Sequence, residues 1–316
     1  MSQSHHHHHG ALARRAALAS VSMALFLMAL KGYAALHTGS VAMLGSLADT
    51  GLDLLASLVT LYGVRIAAEP ADTEHRFGHG KAEALAALFQ VALISLSAVG
   101  IGWRAVIRLT ENAPTRDAEF GIGVSVVAIA GTFVLLAYQR RVIARTGSIA
   151  IRADNIHYQS DLILNLSVIA ALVLDQYLGI TGADPVFGIA IALWLGWGAF
   201  RASNLAIDQL MDKEWPEEKR RRFLDVAAQH PALRGIHDFR TRHSGSREFA
   251  QFHIYVAPEM TVREAHDVMD DIERRIAKEF PGVEILIHLD PEGHVDQPGN
   301  PLVETDVTPR WFWKHS

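Results

Sequence analysis

The stretch Val41-Ala-Met-Leu-Gly-Ser-Leu-Ala-Asp49-Thr-Gly-Leu-Asp53-Leu-Leu-Ala-Ser-Leu-Val-Thr-Leu-Tyr-Gly-Val-Arg65 is apolar and long, yet it carries two aspartates. About 20 mainly apolar residues cross a bilayer as a helix. A carboxylate inside such a helix is expensive and marks a functional position. Asp49 and Asp53 are four residues apart, so they share a helix face, one turn from each other. Five more stretches qualify on the same grounds, and the six spans are 12–36, 41–67, 82–108, 119–140, 149–178 and 184–206. Gly, Pro and polar clusters separate them, at His37-Thr38-Gly39, Glu69-Pro70-Ala71-Asp72, Asn112-Ala113-Pro114, Thr146-Gly147 and Thr181-Gly182. The first span follows Arg14-Arg15 like a signal peptide, but its apolar core is longer and lacks a convincing cleavage site.

Composition fits a membrane domain joined to a soluble one. Of 316 residues 50% are hydrophobic, and the apolar blocks stop near Asn204, after which the chain is charged and mixed. The expected domains are a His-rich tag or disordered tail at 1–10, a six-helix membrane domain at 11–207, a soluble domain at 208–291 and a flexible tail at 292–316. His5 to His9 read as a purification tag or as a natural metal-collecting tail. A net charge of −5 offers no basic field for nucleic acid. With no cysteine there is no disulfide, and any metal ligand must come from the 17 histidines, from carboxylates or from backbone oxygen.

Basic residues set the orientation. Arg14, Arg15, Arg65, Arg76, Lys81, Arg140, Arg141, Arg145 and Arg201 fall on one side, against Lys31, Arg104, Arg108 and Arg116 on the other. The richer side is cytoplasmic, which places both termini and the soluble domain in the cytosol.

The fifth span contains Asn155-Ile-His157-Tyr-Gln-Ser-Asp161-Leu-Ile-Leu-Asn165, with a second donor pair at the same spacing. Two facing helices would offer Asp49, Asp53, His157 and Asp161 to one point, a tetrahedral set for a first-row divalent ion. The plainer alternative is a set of polar packing contacts or a water pocket. Such ligands must shed protons to take a metal, and protons can in turn expel it.

Three further groups of donors stand out. Asp72, His75 and His79 follow the second span; Arg76 stands where a His-Glu-x-x-His hydrolase has its general base. The soluble part reads helix, strand, strand, helix, strand, with Thr261 and Glu264 as a capping box and Ser244-Gly245-Ser246 as a hairpin turn. If that hairpin is centred on Gly245, His237 and His253 face each other across the strands. His288 and Asp290 share a face of the last strand, and His266 lies on the helix between. His230, His243, His294 and His315 read as surface residues, and the segment after Pro291 as a loose tail.

The runs Ser46-Leu-Ala-Asp49-Thr-Gly-Leu-Asp53, Pro70-Ala-Asp72-Thr-Glu-His75-Arg-Phe-Gly-His79-Gly-Lys81-Ala-Glu83 and His157-Tyr-Gln-Ser-Asp161, in that order on six spans, resemble the cation diffusion facilitator family. The similarity is to its bacterial YiiP-like, zinc- and iron-exporting branch and runs from Ser20 to Pro291. It implies six transmembrane helices and a cytoplasmic αββαβ domain of ferredoxin or metallochaperone type. It implies a transport site at Asp49, Asp53, His157 and Asp161, a loop site at Asp72, His75 and His79, and a charge pair between Lys81 and Asp212. His237, His253, His266, His288 and Asp290 would form a binuclear zinc site near a dimer contact, with Leu289 where relatives often have Gln.

The resulting expectation is a homodimeric, proton-coupled exporter in the bacterial inner membrane, not an enzyme. Zn2+ is the leading substrate and regulatory ion, with Cd2+ and Fe2+ as alternatives, because N/O ligand sets separate these ions poorly. The rivals are a membrane metalloenzyme, which needs an open coordination position and a general base, and a metal sensor that does not transport.

Overall fold

The computed structural model describes residues 2–38, 41–111, 121–178, 183–245, 247–294, 306–309 and 311. Gly39, the breaks at Asn112-Ala113-Pro114 and Thr181-Gly182, Arg116, Ser246 and His315 lie outside the described residues. The chain divides into two compact units, His7–Asp208 and Gln209–Ser316, the latter grouped with Met1–His6.

Among the described residues, six helices make up the first unit, the first and last reaching past its bounds: α1 (Ser2–Thr38), α2 (Val41–Ala67), α3 (Ala82–Glu111), α4 (Gly121–Thr146), α5 (Ile149–Leu178) and α6 (Ala183–Leu210). Among the described residues, five are apolar and long enough to cross a membrane, over Gly10–Tyr33, Asp49–Ala67, Ala82–Ile107, Val126–Thr146 and Pro185–Leu210. The expected fifth span, α5, is 30 residues long, with its polar residues gathered in the first half. Arg152, Asp154, Asn155, His157 and Asp161 break its apolar run. Leu96, Val99, Trp103, Phe133, Leu193 and Trp197 are exposed, as side chains facing lipid are. Small residues draw the helices together. A Cβ on Gly63 of α2 would collide with Ala86 of α3, so only glycine allows that approach.

Local chemistry fixes where α5 starts. Gly147, with φ at +66°, ends α4 in the left-handed conformation that glycine adopts without cost. Ser148 then caps α5, its Oγ accepting from Ile151 N–H at 3.3 Å. The same hydroxyl donates to Glu83 Oε2 of α3 at 2.8 Å. Glu83 also accepts the N–H groups of Ile149 and Ala150. The first turn of α5 is thereby held against α3.

The second unit contains α7 (Glu217–Ala227), β1 (Gly235–Ser244), β2 (Arg247–Val256), α8 (Val262–Glu279) and β3 (Val283–Pro291). This is the αββαβ order expected. The sheet order is β1-β2-β3, with β1 and β2 antiparallel and β2 and β3 parallel. Parallel pairing requires a crossover connection, and α8 supplies it. Thr261 and Glu264 form the capping box at its start. Ala265, Val268, Ile272 and Ile276 of α8 join Phe223, Ile236, Phe239, Phe252, Ile254 and Ile287 in the core. One sheet face is therefore covered by helices. The alternating residues His237, His253 and His288 occupy the other. Where only a loose tail was expected, Val307 N–H donates to Ile236 O at 2.9 Å and Thr308 Oγ1 accepts from Ile236 N–H at 2.8 Å.

Candidate metal centres

Within the helical unit, Asp53 of α2 and His157 and Asp161 of α5 converge. Their donor atoms all lie within 4.8 Å of one another. His157 Nε2 is 3.0 Å from Asp53 Oδ1 and 3.9 Å from Asp161 Oδ2. His157 Nδ1 is buried with no hydrogen-bond partner among the described residues. Nε2 is the nitrogen turned to the carboxylates, hydrogen-bonded to Asp53, and so the one that could meet a cation there. Asp49, expected as the fourth ligand, is not brought in. It is exposed and sits about 6 Å further along α2, the rise of one helical turn.

Asp72, His75 and His79 also converge, with donors within 4.8 Å. A turn, not a helix, gathers them. Asp72 Oδ1 accepts the N–H groups of Glu74 at 2.9 Å and His75 at 2.6 Å. His79 Nε2 lies 3.3 Å from Asp72 Oδ2 and 3.1 Å from His75 Nδ1. The His75 N–H bond holds the Asp72 carboxyl below its usual value, helped by the Glu74 N–H and the two imidazoles. The Asp72 carboxylate is therefore readily ionised, and the cluster is largely exposed.

In the second unit, His237, His253 and Asp290 form the third cluster. Asp290 Oδ2 lies 2.9 Å from His253 Nδ1 and 3.3 Å from His237 Nε2. His288 adjoins it, with Nε2 3.5 Å from Asp290 Oδ1 and its ring 4.6 Å from that of His253. His266 does not take part. It is exposed on α8, beside Asp270 of its own helix, and α8 covers the opposite sheet face.

The pairing of His237 with His253 is as expected, but the hairpin is not centred on Gly245. Near the turn Ser244 pairs with Arg247 and His243 with Glu248, one residue out of step with a hairpin centred on Gly245. A bulge between His237 and Arg240 restores the step and puts His237 opposite His253. Asp238 sits in that bulge with φ at +46° and comes 3.8 Å from His253 Nε2. Sequence reading missed Asp238. It also missed Tyr255, whose ring stacks on His237 at 4.1 Å in the space left by Gly235. Asp212 lies 3.7 Å from Arg242 within its own unit.

The cation efflux transmembrane domain matches residues 17–211, and the cation efflux protein cytoplasmic domain matches 215–292. The chain belongs to the cation efflux family. It is similar to the cation-efflux pump FieF of Yersinia pestis (strain Pestoides F), 41% identical over 278 residues, covering 88% of this chain and 92% of the relative. FieF of Yersinia pseudotuberculosis serotype O:3 (strain YPIII) matches equally. A solved chain of CzrB is 39% identical, covering 25% of this chain and 99% of that one, with a TM-score of 0.23. The family's members are transporters, not enzymes, and this one is a membrane protein that exports cations.

Proposed function

We propose that this cation efflux protein exports Zn2+ from the cytoplasm in exchange for protons, with Cd2+ and Fe2+ as the nearest competing substrates. The observation that carries the proposal is the Asp53, His157 and Asp161 cluster inside the helical unit. One imidazole among carboxylates favours borderline ions over the purely oxygen-seeking ones. Asp49 is the fourth ligand in this reading, recruited when the turn of α2 that bears it closes on the ion. Each ligand binds metal only in its deprotonated form, so cation and protons exclude each other. An acidic outer side then releases the ion, and the less acidic cytosol loads it.

The remaining parts follow from this. The richer basic end of the helices faces the cytosol by the positive-inside rule, with both termini, the loop cluster and the second unit on that side of the bacterial inner membrane. The domains are a tag or tail at 1–10, the membrane domain at 11–207, the regulatory domain at 208–291 and a tail at 292–316. His237, His253, Asp290 and His288 hold Zn2+ as a regulatory ion, without the His266 first expected among them, and stabilise a homodimer through the open sheet face. Lys81 and Asp212 pair to tie the membrane and cytoplasmic domains together.

The test is flux in proteoliposomes under an imposed pH gradient, comparing Zn2+, Cd2+, Fe2+ and Mn2+. Uptake by inside-out protein should rise with an acidic interior and collapse with a protonophore, with Zn2+ ahead of Mn2+. Zn2+ flux indifferent to the gradient would make the protein a uniporter. Mn2+ ahead of Zn2+ would contradict the role given to His157.

A further inference from the structure

The helix α5 carries another carboxylate, Asp154, three residues before His157. It has no exposure, and its three donors come from three other helices. Ser20 of α1 donates at 2.6 Å, Gln139 of α4 at 2.8 Å and Gln90 of α3 at 3.1 Å. The donors are themselves linked. Gln139 Nε2 also reaches Ser20 Oγ at 2.9 Å, and Gln90 Nε2 reaches Thr60 Oγ1 of α2 at 3.0 Å. Asn155 Nδ2 donates to Gln139 Oε1 at 2.8 Å. One turn further along α5, Tyr158 donates to Ser20 O at 3.0 Å and its hydroxyl lies 3.0 Å from Ser57 Oγ of α2. Helices α1 to α5 all meet in this network.

Its place along the helices matters as much as its bonds. α2 ends and α5 begins at the basic end of the bundle, where Arg65, Lys81, Arg140, Arg141 and Arg145 lie. From that end, burial on α5 runs from Asp154 at 0% and His157 at 6% exposure to part-buried Asp161 and exposed Asn165. On α2 the residues facing them follow the same order, with Thr60 and Ser57 at 0%, Asp53 part-buried and Asp49 exposed, although Thr50, bonded to Lys31 of α1, is itself buried. The donor cluster thus lies just beyond the network, closed toward the basic end and more open on the far side.

We propose that Asp154 and its partners Ser20, Gln90 and Gln139 are the lock that seals the transport site from the basic end, and that opening on that side breaks these bonds. The proposal rests on Asp53, His157 and Asp161 being the transport site. A polar seal suits this task better than an apolar one. Exchanging a protein hydrogen bond for bonds to water changes the free energy little, whereas parting an apolar core exposes area at a steady cost. The lock can therefore be firm when dry and still open when helices separate. Asp154 acts here as a positioning residue that touches no cation.

The chain has no cysteine, so a single introduced thiol reports without background. Ala56, fully buried between Asp53 and Ser57, is the reporter (A56C), and E74C in the exposed loop marks which membrane face the basic end occupies. Both are labelled with an impermeant thiol reagent in vesicles of each orientation. D154N should raise A56C labelling from the E74C face about tenfold, the equivalent of one buried charge-assisted hydrogen bond, with no rise from the opposite face. S20A, which removes one small donor, should shift labelling the same way but less, and decides the matter if D154N does not fold. No rise, or an equal rise from both faces, overturns the lock. E74C labelling from the outer face would overturn the orientation and leave the lock intact. Zn2+ flux persisting in D53A, with the one-sided rise still present, would overturn the transport site instead.

Discussion

The helical cluster and the sheet cluster use the same donor types but are built by different devices. In the bundle, donors repeat at i and i+4 on α2 and α5, so one helical turn sets their spacing and two helices need only face each other. In the soluble unit, the donors come from three strands and depend on register, where a slip of one residue sends a side chain to the other face. The bulge at Asp238 is what puts His237 opposite His253. The first device tolerates movement, because helices can slide or tilt while each keeps its own spacing. The second is fixed by backbone hydrogen bonds on both sides of β2. Under the proposed function, the difference implies a division of labour in which the helical cluster carries the cation and the sheet cluster keeps it.

The largest effect expected from this contrast is on transport. Asp161→Ala removes a carboxylate that no neighbour replaces, so Zn2+ flux should fall to that of empty vesicles, while the metal content of the second unit is unchanged. Flux within twofold of wild type would place the carrier site elsewhere.

A smaller effect is expected at the sheet. Replacing His237 and His288 together by Ala leaves His253 and Asp290, and Zn2+ affinity of that unit should drop by more than the roughly 10–100-fold that changing an outer-shell partner costs, because two proposed ligands are removed outright. Zn2+ flux should be reduced but measurable. Complete loss of flux would mean that the two clusters act as one.

The smallest effect concerns the crossover helix that orders the strands. Thr261→Ala removes the cap of α8 and should lower the free energy of opening its amides, read by hydrogen exchange, by about 1 kcal/mol. The Glu264 carboxyl is held below its usual 4.5 by the Thr261 N–H and hydroxyl. A carboxyl so depressed contributes stability above its unfolded value and loses it as pH falls through the folded one. The gap between wild type and T261A should therefore narrow below pH 4.5, and a gap that widens on acidification would contradict the capping role.

What was legible in the sequence follows the same contrast. The helical spans, the αββαβ order and the capping box could be read because periodicity and cap chemistry are local. Asp53, His157 and Asp161 were legible through spacing alone. Asp49 shares that spacing but stands a turn away, since spacing fixes the face and not the height at which two helices meet. His266 has the right chemistry on an element that covers the wrong sheet face. His237 and His253 were paired correctly by a turn centre that the structure moves, because a bulge leaves no simple mark in one sequence. Asp154 was passed over since its partners, Ser20, Gln90 and Gln139, come from three separate helices and share no periodic pattern.

The division of labour is tested most directly by measuring, in one set of proteoliposomes, both the Zn2+ that crosses the membrane and the Zn2+ that stays bound to protein after exchange. The account predicts that D161A holds bound zinc and passes none, while the variant with His237 and His288 both changed to Ala passes zinc and retains less. The reverse pattern, or equal loss of both quantities in each variant, would contradict it.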